Sequence, residues 1–304
     1  MALRQIKSKI RSVEKTRQVT KAMEAVSAVK MRKSQRRALL GRPYAESALS
    51  ILERLSRSVD VVRHPLVSKR VPVKHTGVIL ITSDKGLAGS LNTALLKRVE
   101  EHIRREGLSK ETLTFYTIGK KGYEYFLRRG YAISNSYTLG DEVDEEEVRA
   151  VLLKVVGDYM EGQIDACLLA YNNFLSTFEQ EEVVRKLIPL DSVALKEVVE
   201  GITPEKGKYS EEHKESVAPI YTIEPSAEEV LDDLFPMLLS VLLFHALLEA
   251  KASEHSARMV AMKNASDKAG DMRKELRLTF NKERQAAITQ EVSEIISGIQ
   301  TTAK

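Results

Sequence analysis

A chain of 304 residues, 43% apolar and 30% charged, with a net charge of +4, is composed like a soluble protein of one to two domains, and disorder and collagen-like structure are excluded. The lone Cys167 rules out an internal disulfide and fits a reducing compartment, as a buried small hydrophobe. The first twenty residues lack the apolar run of a secretory signal; residues 1–42 hold thirteen Lys/Arg against Glu14 and Glu24, but their apolar spacing runs on without the break at which a transit peptide would end.

From Ala2 to about Val62 there is no strand-like alternation and no proline before Pro43. Leu3, Ile6, Ile10, Val13, Met23 and Val26 fall mostly at steps of three, four or seven, which predicts a helical seam. A continuous helix there would be about 90 Å long, more than a small domain can cover, so a partner must cover it.

Residues 74–224 change period. Gly77–Thr82, Leu113–Ile118, Ile164–Ala170, Val183–Leu190 and Ile220–Ile223 read as strands, alternating with helices over Leu91–Glu106, Lys120–Arg129 and Glu142–Met160. That alternation predicts a mostly parallel, Rossmann-like sheet with helices packed on it. Six acids within Asp141–Glu147 suit a solvated helix start, where negative charge complements the dipole. Between 191 and 218, Gly201, Pro204 and Gly207 stand among charged residues, a flexible excursion or short extra hairpin to which no function is assigned.

Ser226 can cap a final helix, with Glu229 completing a capping box. The apolar stretch Leu234–Leu248 falls short of the ~20 residues that cross a bilayer and reads as a helix buried in protein. Pro236 is expected to kink or interrupt it near Phe235. Beyond it only Gly270 and Gly298 weaken a rod approaching ~100 Å. The expected fold is therefore α/β with a long coiled coil: antiparallel N- and C-terminal helices (1–62 and 226–304) bracketing a Rossmann-like α/β domain (74–224).

Little in the sequence carries bond chemistry. Gly86-Leu-Ala-Gly89 follows a strand but is neither a dinucleotide fingerprint nor a Walker loop, so it reads as a tight turn or a contact rather than a phosphate cradle. The histidines at 64, 75, 102, 213, 245 and 255 show no metal-ligand spacing, and His245 on an apolar helix reads as an interior residue. No Ser, Cys or His stands in a nucleophile motif, and no cofactor is expected. The basic run Lys30–Arg37 suits a solvated face, a nucleic acid or an acidic partner; the absence of Phe, Tyr and Trp from residues 1–42 argues against base stacking. A coiled-coil nucleic-acid-binding or scaffold protein is the alternative on these grounds, and a nucleotide-using enzyme a further rival.

Four separated motifs resemble the gamma subunits of F-type ATP synthases over nearly the whole chain. They are Ile6-Lys-Ser-Lys-Ile-Arg-Ser-Val13 with Thr20-Lys-Ala-Met-Glu24, Lys30-Met-Arg-Lys-Ser-Gln35 and Arg42-Pro-Tyr-Ala45; the loop Ser83-Asp-Lys-Gly-Leu-Ala-Gly-Ser-Leu-Asn92; Ala252-Ser-Glu254 with Ala257–Asp267; and Asn281-Lys-Glu-Arg-Gln-Ala286 with Ile288–Gly298. The resemblance implies a non-catalytic rotor shaft turning inside a ring of alpha and beta subunits. Its foot would grip a membrane c-ring and an epsilon-type subunit, peripheral to the cytoplasmic face of a bacterial plasma membrane. It further implies that Arg32, Lys33, Arg36 and Arg37 face acidic ring surfaces and that Asp84 and Lys85 touch a catalytic subunit. Met23, with Arg284 and Gln285 of the facing helix, would lie where shaft meets ring, and Ile288, Val292, Ile295, Ile296 and Ile299 would form an apolar bearing. The tail Ile299–Lys304 departs from the family's small residues, and the 191–218 segment has no cysteine for a thiol switch.

Overall fold

The computed structural model describes residues 2–55, 64–138, 140, 142–190 and 227–302; for residues 2, 41–55, 227–228, 230 and 297–302 it describes the backbone alone. Asp141, the 191–218 excursion, Ile220–Ile223 and Ser226 lie outside the described residues. The elements in chain order are α1 (Ala2–Leu55), β1 (Thr76–Ile81), α2 (Leu91–Arg105), β2 (Leu113–Ile118), α3 (Lys120–Arg128), β3 (Ala132–Tyr137), α4 (Glu145–Met160), β4 (Ala166–Phe174), β5 (Gln180–Ile188) and α5 (Ala227–Thr302). They divide into two compact units, residues 1–28 with 258–304, and residues 29–257. Both long helices contribute to both units.

In the larger unit the sheet runs β3-β2-β1-β4-β5. β1 pairs in parallel with β2 and β4, β2 in parallel with β3, and β5 returns antiparallel to β4. Strand side chains alternate between faces. Val78, Leu80, Leu113, Phe115 and Ala170 pack under Leu95, Leu96 and Val99 of α2 and Phe126 of α3. Ile79, Ile81, Tyr116, Ile118, Cys167 and Leu169 pack on the other face, under Val148, Val151 and Val155 of α4 and the apolar stretch of α5. The mostly parallel sheet expected from the alternation is thus present.

The elements differ from the sequence reading at several places: β4 runs on to Phe174 and β5 starts at Gln180, where strands ending at Ala170 and starting at Val183 are expected. β3 was not foreseen: Ser134, Asn135 and Ser136 dilute its apolar signal, which an edge strand beside β2 does not need. The acidic cluster does start a helix, but at Glu145, where the Asp144 carboxylate accepts from the Glu146 amide at 3.1 Å. Pro236 does not end α5, which runs through it. One lost backbone bond costs about 3 kcal/mol in a helix interior, and burial of Leu231, Phe235, Leu238 and Leu239 on either side outweighs it. By composition α5 holds a window apolar enough to span a bilayer, with mean hydropathy 1.7. Its Leu238, Leu239, Leu242, Leu243 and Leu247 are instead core residues over the sheet.

Candidate functional site

In the smaller unit the first part of α1 and the last part of α5 form an antiparallel pair. An Arg273 amino group reaches the Glu14 carboxylate at 2.6 Å, and a Cβ at Gly270 would stand 3.9 Å from the Arg17 Cδ. Both contacts give the same register, in which each residue faces the one whose number completes 287. Leu3, Ile6, Ile10, Val13, Arg17, Thr20, Glu24 and Ser27 turn inward on α1, and Met262, Ser266, Ala269, Arg273, Leu276 and Phe280 on α5. Steps of three and four repeating every seven residues have a period of 3.5, the signature of a left-handed supercoil. Below Val13 the predicted seam is the observed one. Above it the two differ, because Val26 is 54% exposed and Thr20 and Ser27 take the inward positions.

The register also corrects the position of Met23. It is half-buried and faces the region of Asn264, whereas Arg284 and Gln285 lie opposite the Leu3 end. Twenty residues of helix put the two places about 30 Å apart, so they cannot form one contact. Arg284 and Gln285 are exposed. Ile288, Val292 and Ile295 recur at steps of four and three on one exposed face, and Ile296 is exposed beside them. Ile299 continues the spacing, but its side chain lies outside those described. Val19, Met272 and Leu278 are exposed as well, the last by 72%, an unusual amount of apolar surface for an uncovered helix pair.

Glu14 also accepts from Arg17 at 3.1 Å. Hydrogen bonds from Arg17 and then Arg273 hold its carboxyl below the usual carboxylate range. A lowered folded-state value gives stabilisation that is complete above the ordinary value and lost as pH falls through the lowered one. Wild type and Glu14→Gln are therefore expected to differ in thermal unfolding at neutral pH and to converge as pH falls through the lowered carboxyl value. Melting curves that keep their separation throughout would show that Glu14 acts by packing.

The basic run divides. Lys33 pairs with Glu142, and an Arg37 amino group donates to the Val143 carbonyl at 2.9 Å with its guanidinium over the Phe244 ring. Both engage the acid-rich approach to α4 within the same unit. Arg32 and Arg36 remain exposed.

The loop after β1 is tied to itself. The Ser83 amide donates to the Asn92 side-chain carbonyl at 3.1 Å, the Asn92 amide group to Ser83 Oγ at 2.7 Å, and Ser83 Oγ to the Lys85 carbonyl at 2.7 Å. Asp84 accepts the Lys120 amide at 3.0 Å, and Thr82 Oγ1 accepts the Gly122 amide at 2.8 Å. These bonds close the loop on its own strand and on the start of α3, and the Asp84 carboxylate stands beside it. This is a tight turn. Lys85 is exposed at its rim, and so is Leu87, by 62%, in the left-handed region at φ 65°. A leucine costs about 1–2 kcal/mol there. The sequence gives no sign of it, since Gly86 and Gly89 are the residues expected to take positive φ.

The family described as ATP synthase matches residues 2–301. The ATP synthase gamma chain of Methylobacillus flagellatus is 40% identical over 297 residues, 97% of each chain. That of Chloroflexus aurantiacus is 39% identical over 298 residues, again 97% of each. Among solved structures, a chain of the Tetrahymena thermophila mitochondrial ATP synthase, described as central stalk and c-ring, superposes with a TM-score of 0.61 at 25% identity, covering 82% of this chain and 99% of that one. With two long terminal helices, a five-stranded α/β sheet and this agreement from end to end, the chain belongs to the ATP synthase gamma-chain family.

Proposed function

We propose that this chain is the central rotor shaft of a proton-translocating ATP synthase, passing torque between a membrane c-ring and a catalytic ring of alpha and beta subunits and making no bond itself. The observation that carries this reading is the antiparallel seam of 3.5-residue period whose outward faces keep Val19 and Leu278 exposed, with Ile288 and Ile295 exposed on the turns of α5 that continue past the start of α1, an apolar surface that needs an enclosing sleeve. Nucleotide sits on the partners. An asymmetric shaft favours a different conformation in each catalytic subunit through differential contact energy, and rotation moves that preference round the ring. An epsilon-type subunit joins the foot, and the assembly is peripheral on the cytoplasmic face of a bacterial plasma membrane.

Within that reading Arg32 and Arg36 are the cations that meet acidic ring surfaces, because Lys33 and Arg37 are engaged inside the chain. Met23 and the Asp84–Lys85 turn make separate contacts from Arg284 and Gln285, which form a polar catch: a guanidinium pairs bidentately with a carboxylate, and an amide both donates and accepts. Ile288, Val292, Ile295, Ile296 and Ile299 form the bearing, where dispersion is non-directional and opposes turning weakly. Tagged and expressed in its host, the chain is expected to bring alpha, beta, epsilon and c subunits with it; purification alone would overturn the reading. Arg284→Ala with Gln285→Ala is expected to lower ATP-driven turnover of the reconstituted complex about tenfold or more, as for losing about 1.4 kcal/mol or more of transient contact, while subunit stoichiometry persists. Unchanged turnover would remove the catch.

A further inference from the structure

The stretch of α5 that covers the sheet is unexpectedly polar where it crosses the end of β4. Glu249 is 8% exposed, and Ser253 and Ser256 are fully buried. These three stand at i, i+4 and i+7, within one narrow face of the helix. Each holds a main-chain group of β4 or of the turn that follows it. The Phe174 amide donates to Glu249 Oε2 at 3.1 Å, Ser253 Oγ donates to the Asn172 carbonyl at 3.1 Å, and Ser256 Oγ donates to the Thr177 carbonyl at 2.5 Å.

The sheet explains why that backbone is available. β1 pairs with β4 only from Thr76–Ala166 to Leu80–Ala170, while β4 continues to Phe174 with β5 alone beside it. On the other edge its last residues would leave buried donors and acceptors unmet, which costs about 1–3 kcal/mol for each. α5 supplies the missing partners from side chains, much as another strand would from its backbone. Apolar contacts alone would hold the helix without fixing its rotation, since dispersion has no preferred azimuth. Three directed bonds to main chain do fix it: a slip of one residue turns a helix about 100° and moves it about 1.5 Å, breaking all of them at once.

We infer that Glu249, Ser253 and Ser256 are positioning residues forming the joint that locks α5 to the α/β domain against turning and sliding, so that rotation of the helix is delivered to the domain. This rests on the rotor reading and names where, within the domain, torque enters it.

The test uses the whole complex reconstituted in vesicles, measuring ATP hydrolysis and ATP-driven proton uptake together. Ser253→Ala with Ser256→Ala is expected to raise the slipped population of the joint about fivefold for each hydroxyl removed. Uptake per ATP should then fall while hydrolysis continues, with faster hydrogen exchange over 172–177. Glu249→Met, which fills the volume without accepting the Phe174 amide, is expected to lower the ratio likewise, and Glu249→Gln, which still accepts, to restore it. A ratio equal to wild type in both the double variant and Glu249→Met overturns the joint, whether or not exchange speeds up, as does an equal loss in Glu249→Gln and Glu249→Met. Failure of the rotor reading looks different, because the wild-type chain would then support no uptake at all.

Discussion

Gly119→Ala is expected to destabilise the chain by about 3–5 kcal/mol, the sum of backbone strain and an overpacked core. Gly119 joins β2 to α3 at φ 98°, a conformation L side chains rarely adopt. A Cβ there would sit 2.0 Å from the Thr82 carbonyl oxygen and 2.7 Å from its carbon, and a backbone carbonyl cannot swing aside as a flexible side chain can. Thr82 is also the residue whose hydroxyl receives the Gly122 amide, and its neighbours Ser83 and Asp84 organise the turn after β1. The substitution should therefore loosen that turn as well as lower the unfolding midpoint. Denaturant unfolding with hydrogen exchange over residues 83–92 checks both parts. A loss below about 1 kcal/mol would mean that the chain relaxes around the new methyl group at little cost.

Phe235→Ala should lower stability by a similar amount, about 3–5 kcal/mol, through lost burial and the cavity left behind. Phe235 is fully buried, with its ring centroid 4.5 Å from that of His64. His64 accepts the Leu66 amide at Nδ1, which leaves Nε2 to donate to Asp232 at 3.0 Å. The phenyl ring thus backs a contact that ties the chain entering β1 to the first turns of α5. It also lies immediately before Pro236, where α5 lacks one main-chain bond. Without the ring, fraying should concentrate N-terminal to Pro236: protection from hydrogen exchange is expected to drop over 228–235 before it drops over 238–248. Uniform loss along the helix would show that Phe235 contributes to the global core only.

The helical period of both ends, the parallel β/α alternation and the acidic start of α4 are statements about local spacing, and local spacing is legible in a single chain. The side of α1 that faces inward was legible only up to Val13. Beyond it, hydrophobicity points to Val26, because an apolar residue is assumed to be inward; here the inward positions go to Thr20, Glu24 and Ser27, and the valines point outward. A helix buried on one side by its mate and on another by separate proteins has two apolar faces, and sequence alone does not rank them. Met23 and Arg284 were paired for a related reason: register is set by a long-range contact, Glu14 with Arg273, and many basic residues compete for that acid on paper. The same limit hid the engagement of Lys33 and Arg37 by the approach to α4, 106 or more residues away. The polar stripe Glu249, Ser253 and Ser256 of α5 has no meaning in the sequence by itself, because its partners are main-chain groups at the end of β4, some 75 or more residues away.

The single thiol has a practical consequence. Cys167 is fully buried in the sheet, and burial pushes it up to about 12. At neutral pH only about one in a hundred thousand such groups is the nucleophilic thiolate, and none meets solvent in the folded chain. A maleimide dye offered to the native protein should pass it by, whereas a cysteine introduced at Arg284 or Lys85 would take the label alone. The wild-type background is therefore ready for placing one fluorophore at a chosen point and watching it move.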